Sequence, residues 1–329
     1  MTQAKYNVTA IGNALVDIIA DSTDAFLAQH KINKGAMMLI DTAQAEKLYA
    51  AIGPAIEMSG GSAANTVAGI ASLGGKAAFM GKVKDDQLGA IYRHDLTSQG
   101  AVFATPSSTQ TNTPTGRCII LVTPDAERSM NTYLGAAVEF ASSDIDDATL
   151  RDSSITYLEG YLFDPPAAKK AFQHAAQVVR DAGRQLSLTL SDTFCVERHR
   201  AEFLELIKND IDILFANQNE LLALYQTDDL NKAIDAVRGH CKIAVTTRSA
   251  KGAVIVSGKE TVEVPAVPVA KVIDTTGAGD LYAAGVLYGI THGKSLAEAG
   301  HIGAVAAAEV ISHYGPRPQK ALKELLKAA

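Results

Sequence analysis

The chain has 329 residues, 47% of them hydrophobic, which is enough for a large buried core. The net charge of −6 argues against nucleic acid or an anionic membrane surface as a partner. The three cysteines are far apart and lack metal-site spacing, so we expect reduced thiols and a cytoplasmic protein. The N-terminus leads directly into a predicted strand without a signal peptide, and no apolar run reaches membrane-spanning length.

Apolar patterns along the chain predict alternating strands and helices. Strands are predicted at residues 6–11, 77–81, 117–122, 129–134, 155–158, 185–190, 211–216, 243–247 and 267–273, with a hairpin over 253–264. Helices are predicted at residues 42–52, 86–99, 167–182, 230–239 and 281–288, after Gly60, near Glu197 and after Asn217. Strands separated by helices of this length imply an α/β fold with a mainly parallel, doubly wound sheet.

Two stretches interrupt this alternation. Residues 13–58 are less regular, and residues 103–134 combine dense Thr, Ser and Pro with two short strands. Because hairpins inserted at two places between α/β units can pair with each other, we predict that both segments form one small β-sheet. The large α/β domain then comprises residues 1–12, 59–102 and 135–329.

The stretch Asp274–Asp280 joins a predicted strand to a buried helix. The turn Gly277-Ala278-Gly279 leaves backbone N–H groups unpaired, and these groups with the helix dipole form a site for anionic oxygens. Asp280 lies in the first helical turn, beside that site. An anion site next to a potential general base is what phosphoryl transfer to an alcohol requires. The alternative is a glycine-rich turn with a helix-capping aspartate.

The segment Gly289–Ser295 looks close to a P-loop but does not fit that motif. Three residues separate its two glycines instead of four, and it lies at a predicted helix end instead of after a strand. We interpret it as a helix C-cap followed by the next helix. Any ATP site must therefore be built in another way, and the Gly277–Gly279 turn is the best anion cradle in the sequence.

Two further motifs strengthen the phosphoryl-transfer interpretation. Gly60-Gly61-Ser62-Ala63-Ala64-Asn65 leads into a helix with one apolar face, and Ile11–Asp17 ends the first strand with an acid. Together with Asp274–Asp280, these motifs resemble the signatures of the ribokinase-like (PfkB) family of carbohydrate and nucleoside kinases. The resemblance covers essentially the whole chain, and within the family it is greatest to the branch that phosphorylates adenosine.

The resemblance implies a ribokinase-like fold whose small β-sheet is a lid, and an ATP-dependent kinase that uses Mg²⁺. It implies these catalytic and acceptor-binding roles: Asp280 as general base, Gly277, Ala278 and Gly279 as anion hole, Arg128 as a lid arginine reaching phosphate, Asn13, Asp17, Gly61 and Asn65 at the sugar hydroxyls, and Phe163 against the base. It also implies an ATP-binding role for Asn217, Glu220, Thr246, Arg248 and Gly252, with Glu220 acting on Mg²⁺ through water. Family members often use a monovalent cation such as K⁺ near the anion hole, and the sequence leaves that requirement open.

Several of these roles have a structural alternative. Asp17 fits an exposed loop acid, Asn65 a local cap, Arg128 a solvated turn arginine, Phe163 a core anchor, and Asn217 with Glu220 a helix capping box. For the acceptor we prefer adenosine, converted to AMP, over its nearest rival, a free sugar such as ribose or fructose. A non-catalytic nucleotide- or sugar-binding regulator is the alternative from another class. The sequence leaves monomer and homodimer open.

Overall fold

The computed structural model describes residues 4–109, 111–125 and 127–328. The predicted domain segments also include residues 1–3, 110, 126 and 329, which lie outside the described residues. The strands are β1 (Tyr6–Ile11), β2 (Leu15–Asp21), β3 (Met37–Leu39), β4 (Ala55–Gly60), β5 (Ala77–Met80), β6 (Val102–Phe103), β7 (Gly116–Val122), β8 (Arg128–Tyr133), β9 (Ser153–Glu159), β10 (Gln185–Thr189), β11 (Ile213–Asn217), β12 (Ile243–Thr247), β13 (Ala253–Ser257) and β14 (Glu260–Val264). The α-helices are α1 (Asp24–Gln29), α2 (Thr42–Ala51), α3 (Ser62–Ser72), α4 (Gln87–Ser98), α5 (Asp147–Arg151), α6 (Pro166–Asp181), α7 (Thr193–Asn209), α8 (Gln218–Tyr225), α9 (Leu230–Arg238), α10 (Ala278–Thr291), α11 (Leu296–Val310) and α12 (Leu322–Ala328).

The main sheet has the order β14-β13-β12-β11-β10-β9-β1-β5-β6. From β12 to β6 every neighbouring pair is parallel, and only β13 and β14 at one edge pair antiparallel. Successive residues of the central strands face opposite sides: Ile213 and Phe215 pack into one apolar layer, and Leu214 packs into the other. Helices cover both faces, so the predicted doubly wound α/β fold is confirmed.

A second, smaller sheet has the order β3-β8-β7-β2-β4, and none of its described strands pairs with a strand of the main sheet. Its central strands β2 and β7 are parallel, paired from Leu15 with Gly116 to Asp21 with Val122. Only residues 12–14 separate β2 from β1, so the small sheet begins at the carboxyl edge of the main sheet. The described residues of 104–115, which we placed with the small sheet, contribute no strand to it, and Phe103 pairs with Phe79 in the main sheet.

The predicted strand at residues 267–273 is wrong. This segment is irregular after β14, although its apolar residues alternate. Pro268 has no backbone N–H to offer a sheet, and Val272 is exposed. The N–H of Ile273 donates to the carbonyl of Ile311 at the end of α11 (2.8 Å). The segment therefore connects the sheet edge with the C-terminal helices.

Two other predictions concern helix ends. Helix α7 begins at Thr193, earlier than the predicted start near Glu197, because Asp192 accepts a hydrogen bond from the backbone N–H of Cys195 and caps it. The P-loop-like segment is the helix junction that we predicted: α10 ends at Thr291, and Ser295 caps α11. Among the described residues, no helix is both long enough and apolar enough to cross a membrane.

Candidate active site

A cavity of about 600 Å³ lies between the small sheet and the carboxyl edge of the main sheet. The main sheet contributes residues that follow the ends of five neighbouring strands, β1, β9, β10, β11 and β12. The residues that line the cavity from these strand ends include Asn13, Glu159, Tyr161, Ser191, Asn217 and Thr247. This is where open α/β sheets bind ligands, because loops diverge there on both sides of the sheet.

The turn at the start of α10 lines this cavity. Gly277 has a left-handed conformation (φ 78°, ψ −2°), and a Cβ there would lie 2.8 Å from the Cβ of Pro316. The N–H of Ala278 donates to the carbonyl of Thr275 (3.2 Å), which takes it away from the predicted anion site. The N–H groups of Gly277 and Gly279 make no hydrogen bond within the described part of the chain, so they can receive anionic oxygens.

Asp280 lies at the base of this turn and is held by helix α3. Its Oδ1 accepts a hydrogen bond from Ser62 Oγ (2.6 Å), and its Oδ2 accepts one from Asn65 Nδ2 (2.8 Å). Thr66 Oγ1 also donates to the backbone carbonyl of Asp280 (3.2 Å). Burial raises the pKa of Asp280, and the hydrogen bonds from Ser62 and Asn65 oppose that rise. The carboxyl is therefore fixed in place and made more basic than an exposed aspartate.

Four residues predicted at the acceptor converge on the same cavity: Asn13, Asp17, Gly61 and Asn65. The Asp17 carboxyl is 7% exposed and makes no hydrogen bond to the described residues. Its burial raises the pKa of Asp17 to about 7, against the lowering effect of the Arg317 and Arg128 charges. The Oδ1 of Asn65 is also buried without a partner among the described residues. Two acceptor groups without partners, in residues that line one cavity, are suited to hydroxyl groups of a ligand.

Gly61 connects the small sheet to helix α3, and no other residue fits its position. Its φ is +91°, and a Cβ there would lie 2.3 Å from the backbone oxygen of Asn13. This close approach brings the chain after β4 against the chain after β1. The acceptor residues from both segments thereby come together.

Glu159, at the end of β9, was not predicted as a site residue. Its Oε1 accepts hydrogen bonds from the backbone N–H (3.1 Å) and Nδ2 (2.8 Å) of Asn13, and its Oε2 accepts one from the N–H of Ala63 (2.8 Å). Burial raises the pKa of Glu159 to about 7, although these three hydrogen bonds lower it. Glu159 therefore orients Asn13 and caps α3, the helix that carries Asn65.

Arg317 is a second buried residue that the sequence patterns missed. Its guanidinium donates to the carbonyls of Ser59 (2.8 Å from Nη2) and Ala64 (2.5 Å from Nη1), at the junction of β4 and α3. Its positive charge lowers the pKa of Asp17 and of Asp280, against the larger effect of burial. It favours the ionised form of both acids.

Asn217 and Glu220 line the cavity at the start of α8, and they form the capping box that was the structural alternative. The N–H of Asn217 donates to Glu220 Oε2, and the N–H of Glu220 donates to Asn217 Oδ1, both at 2.9 Å. Burial raises the pKa of Glu220 to about 7. Among the described residues, no three His, Cys, Asp or Glu side chains cluster as direct metal ligands. Asn217 and Glu220 fit a Mg²⁺ ion that keeps its waters and binds mainly phosphate oxygens.

The other predicted ATP residues do not line the cavity. Thr246 is buried on the opposite side of β12 from Val245 and Thr247, which do line it, because side chains alternate along a strand. Arg248 instead lies 3.3 Å from the carboxylate of Glu263. Gly252 has φ +77°, and a Cβ there would lie 2.0 Å from the carbonyl of Val264, so this glycine serves the β13–β14 hairpin.

Phe163 also lies away from the cavity, which corrects its predicted place against a base. It is 6% exposed and packs in the apolar layer with Phe172 and Phe203, at ring-centroid distances of 5.7 and 4.9 Å. The chain turns through a short 3₁₀ segment after β9, and this turn directs Phe163 inward. The structure therefore agrees with the alternative that Phe163 anchors the core.

The aromatic residues that line the cavity are Tyr161, Phe194 and Phe215. Phe194 is 55% exposed in the first turn of α7, unusual for such a large apolar side chain. The guanidinium of Arg198 lies 4.1 Å from the centre of its ring, and Asp164 holds that guanidinium at 2.9 Å. Arg198 and Asp164, which also line the cavity, thus hold the Phe194 ring in place.

Arg128, predicted to reach phosphate, does not line the cavity. Its Nη2 lies 2.8 Å from Oδ2 of Asp274, the residue at which the anion-site motif begins. Its Nη1 lies 3.4 Å from Oγ1 of Thr276, so Arg128 contacts the residues of the motif that precede the glycine turn. The alternative of a solvated turn arginine is wrong, because only 10% of its side chain is exposed.

Sequence reasoning missed several site residues for different reasons. Ser62 lies inside the quoted Gly60–Asn65 motif, and Glu159 is an acid at a strand end, so the reasoning that we applied to these motifs would have found both. Asp17 itself lies within β2 and not, as we had predicted, at the end of the first strand, because β1 already ends at Ile11. Phe194 carries a weaker signal, as an aromatic residue two positions after the capping Asp192. Arg317 carries none, since only the folded chain brings the C-terminal segment to α3.

Known proteins that are similar to this chain show its family. The model of the pfkB family of carbohydrate kinases matches residues 38–322. The adenosine kinase of Saccharomyces cerevisiae is 26% identical over 94% of this chain and 96% of its own length. The crystal structure of adenosine kinase from Sinorhizobium meliloti superposes with a TM-score of 0.93 at 52% identity, covering 99% of this chain and 100% of that one. A probable sugar kinase from Rhizobium etli CFN 42 has a TM-score of 0.93 at 50% identity, covering 99% of both chains.

Proposed function

Because the chain belongs to the pfkB family of carbohydrate kinases, we propose that it transfers the γ-phosphate of ATP to the primary hydroxyl of adenosine and forms AMP. That the chain is an ATP-dependent phosphotransferase with an alcohol acceptor follows from its family and its adenosine kinase relatives. The proposal adds the acceptor and the residue roles. The observation that carries it is Asp280, held by Ser62 and Asn65 beside a helix start with open N–H groups.

In the proposed reaction Asp280 takes the proton of the acceptor hydroxyl. The hydroxyl oxygen then forms a bond to the γ-phosphorus while the bond from that phosphorus to the β–γ bridging oxygen breaks, and ADP leaves. The N–H groups of Gly277 and Gly279 stabilise the oxygens of the transferring group. Mg²⁺, when bound with ATP, neutralises phosphate charge, and Asn217 and Glu220 are the residues that would hold its water shell.

The polar end of the cavity fits a ribose. Asp17 and the Oδ1 of Asn65 are buried acceptors without protein partners among the described residues, and adjacent hydroxyls of a ribose would donate to them. Asn13 and Gly61 complete this end, with Asn13 oriented by Glu159. These contacts would serve a nucleoside and a free sugar equally.

The aromatic lining of the cavity is what favours a nucleoside over a free sugar. A flat base is best held by aromatic faces and apolar side chains, and Tyr161 and Phe194 supply the aromatic faces. The small sheet adds apolar side chains from β3 and β7, including Leu39 and Ile120. The adenosine kinase of Sinorhizobium meliloti supports the same choice, whereas the Rhizobium etli relative keeps a free sugar as the second candidate.

The test is ATP consumption with adenosine, inosine, ribose and fructose, each at matched concentrations. We expect the highest kcat/KM with adenosine, and a product identified as AMP by mass spectrometry. The Asp280→Asn variant, purified in the same way, controls for contaminating kinases. A higher kcat/KM with ribose or fructose would contradict the nucleoside proposal and leave the kinase assignment intact. ATP binding without turnover of any acceptor would favour the non-catalytic regulator.

A further inference from the structure

One buried ion pair connects the small sheet with the turn that forms the anion site. Arg128 opens β8 of the small sheet, and Asp274 lies three residues before Gly277, the first residue of the turn, in the main domain. Their Nη2 and Oδ2 atoms are 2.8 Å apart, and only 10% and 1% of the two side chains are exposed. A pair this well shielded from water is much more strongly coupled than a surface pair.

The carboxylate of Asp274 organises the turn. Its Oδ1 accepts hydrogen bonds from the N–H (3.0 Å) and Oγ1 (2.8 Å) of Thr276, one residue before Gly277. Its Oδ2 accepts one from the N–H of Gly315 (2.9 Å), in the loop whose Pro316 packs on Gly277. Asp274 thus joins both loops that shape the anion site. Arg128 is the cation in contact with it, among the described residues.

We propose that Arg128 is a positioning residue that acts on phosphoryl transfer through Asp274. By neutralising the buried carboxylate and contacting Thr276 Oγ1 (3.4 Å from Nη1), it fixes the turn whose N–H groups receive phosphate. The position of the small sheet is thereby transmitted to the anion site. This inference rests on the proposed phosphoryl-transfer function.

The alternative is direct contact between Arg128 and a transferring phosphate. Nε and Nη2 of Arg128 are buried without a hydrogen bond among the described residues, although Nη2 lies 2.8 Å from Asp274, so the guanidinium keeps donors that a phosphate oxygen could take. The two roles differ in whether the effect of Arg128 depends on Asp274. That dependence can be measured.

A double-mutant cycle in ATP affinity separates the two roles. Arg128→Gln, Asp274→Asn and the double variant are compared with the wild type by calorimetry and by kcat. Each single variant should weaken ATP binding about tenfold, and the double variant should bind no more weakly than the worse single variant, because removing both charges leaves no buried unpaired carboxylate. The KM for the acceptor should stay unchanged. If Arg128→Gln costs as much in the Asp274→Asn background as in the wild type, the proposal is wrong.

Hydrogen exchange without ligand provides a second readout, useful if Asp274→Asn does not fold. Arg128→Gln should increase amide exchange over residues 274–279 while leaving α6 and the rest of the main sheet unchanged. Lys34→Gln is the matched control, since Lys34 is an exposed lysine in the turn before β3 and pairs with Asp24 and Asp125. Unchanged exchange over 274–279 in Arg128→Gln would overturn the proposal. Because ATP affinity and exchange need no acceptor, failure of the proposed reaction would be recognised separately from failure of this inference.

Discussion

The carboxyl group of Asp17 is buried, and burial disfavours its charged form. Its proposed role therefore lowers the stability of the folded chain. Its pKa is raised from 3.8 to about 7, so the ionised form that would bind sugar hydroxyls is the form that destabilises the folded chain. An acid whose pKa is higher in the folded chain than in the unfolded chain stabilises the fold at a pH below the unfolded pKa. This contribution is lost as the pH rises through the folded pKa. The cost is therefore full above about pH 7 and disappears towards pH 4.

Asp17→Asn should consequently be more stable than the wild type at pH 8, with an advantage that shrinks as the pH falls. It should also raise the KM of the acceptor by at least about tenfold with little change in the KM of ATP, since a hydrogen bond to a charged group contributes about 1.5–3 kcal/mol. Thermal unfolding between pH 5 and pH 8 and steady-state kinetics measure both effects. Asp21→Asn, an exposed acid at the end of the same strand, is the control. Equal KM changes for both substrates would count against the acceptor role.

Replacing either of two phenylalanines with alanine should have opposite effects on substrate binding and stability. Phe194→Ala should raise the KM for adenosine about tenfold without loss of thermal stability, since an aromatic contact contributes about 0.5–1.5 kcal/mol beyond its buried area. Phe163→Ala should lower the unfolding free energy by about 3–5 kcal/mol, because it empties a core site, and should change the KM little. Kinetics and thermal unfolding of both variants decide the matter. A larger KM effect from Phe163→Ala would restore its predicted contact with the base.

At the scale of elements, two helix N-termini meet and create the reactive centre. Helix α3 holds Asp280 through Ser62 and Asn65, and helix α10 presents the glycine turn. Helix α3 is fixed in turn by Glu159, whose carboxylate accepts from the N–H of Ala63. The distance between the base and the anion site therefore depends on how the two helices pack.

The two glycines of the turn should respond differently to alanine. Gly277→Ala places a Cβ against Pro316 at positive φ, so it should lower thermal stability and weaken ATP binding together. A Cβ on Gly279 meets no atom within 4 Å, so Gly279→Ala should keep its stability and lose ATP affinity by about tenfold, as its methyl group enters the anion site. Thermal unfolding and calorimetry with ATP provide the comparison. Full ATP affinity in Gly279→Ala would place the phosphates elsewhere.

At the scale of the whole molecule, the alternating apolar pattern and the glycine motifs were enough to predict the α/β fold. The same motifs predicted Asp17, Gly61, Asn65 and Asp280, all of which meet in the cavity. Predictions failed for residues whose side-chain direction, more than their position in the sequence, decides whether they reach the cavity. Thr246 and Phe163 lie close to the site in sequence, but strand alternation and a 3₁₀ turn direct their side chains elsewhere. That the small sheet closes as a lid remains a prediction.

Local sequence patterns could not predict contacts between residues that are far apart in the chain. Arg317 reaches α3, and Arg128 reaches Asp274, only because the folded chain brings distant segments together. The cytoplasmic location, the oligomeric state and the need for a monovalent cation also remain predictions or open questions. None of them affects the proposed role of Asp280.

The central claim is that Asp280 is the general base beside a phosphate-binding turn, and Asp280→Asn tests it most directly. Asparagine keeps the size of the side chain but cannot accept the proton, so kcat with ATP and adenosine should fall by about 10²–10⁴. ATP affinity by calorimetry and thermal stability should stay close to those of the wild type. A variant that binds ATP normally and keeps more than about a tenth of the wild-type kcat would contradict the general-base role.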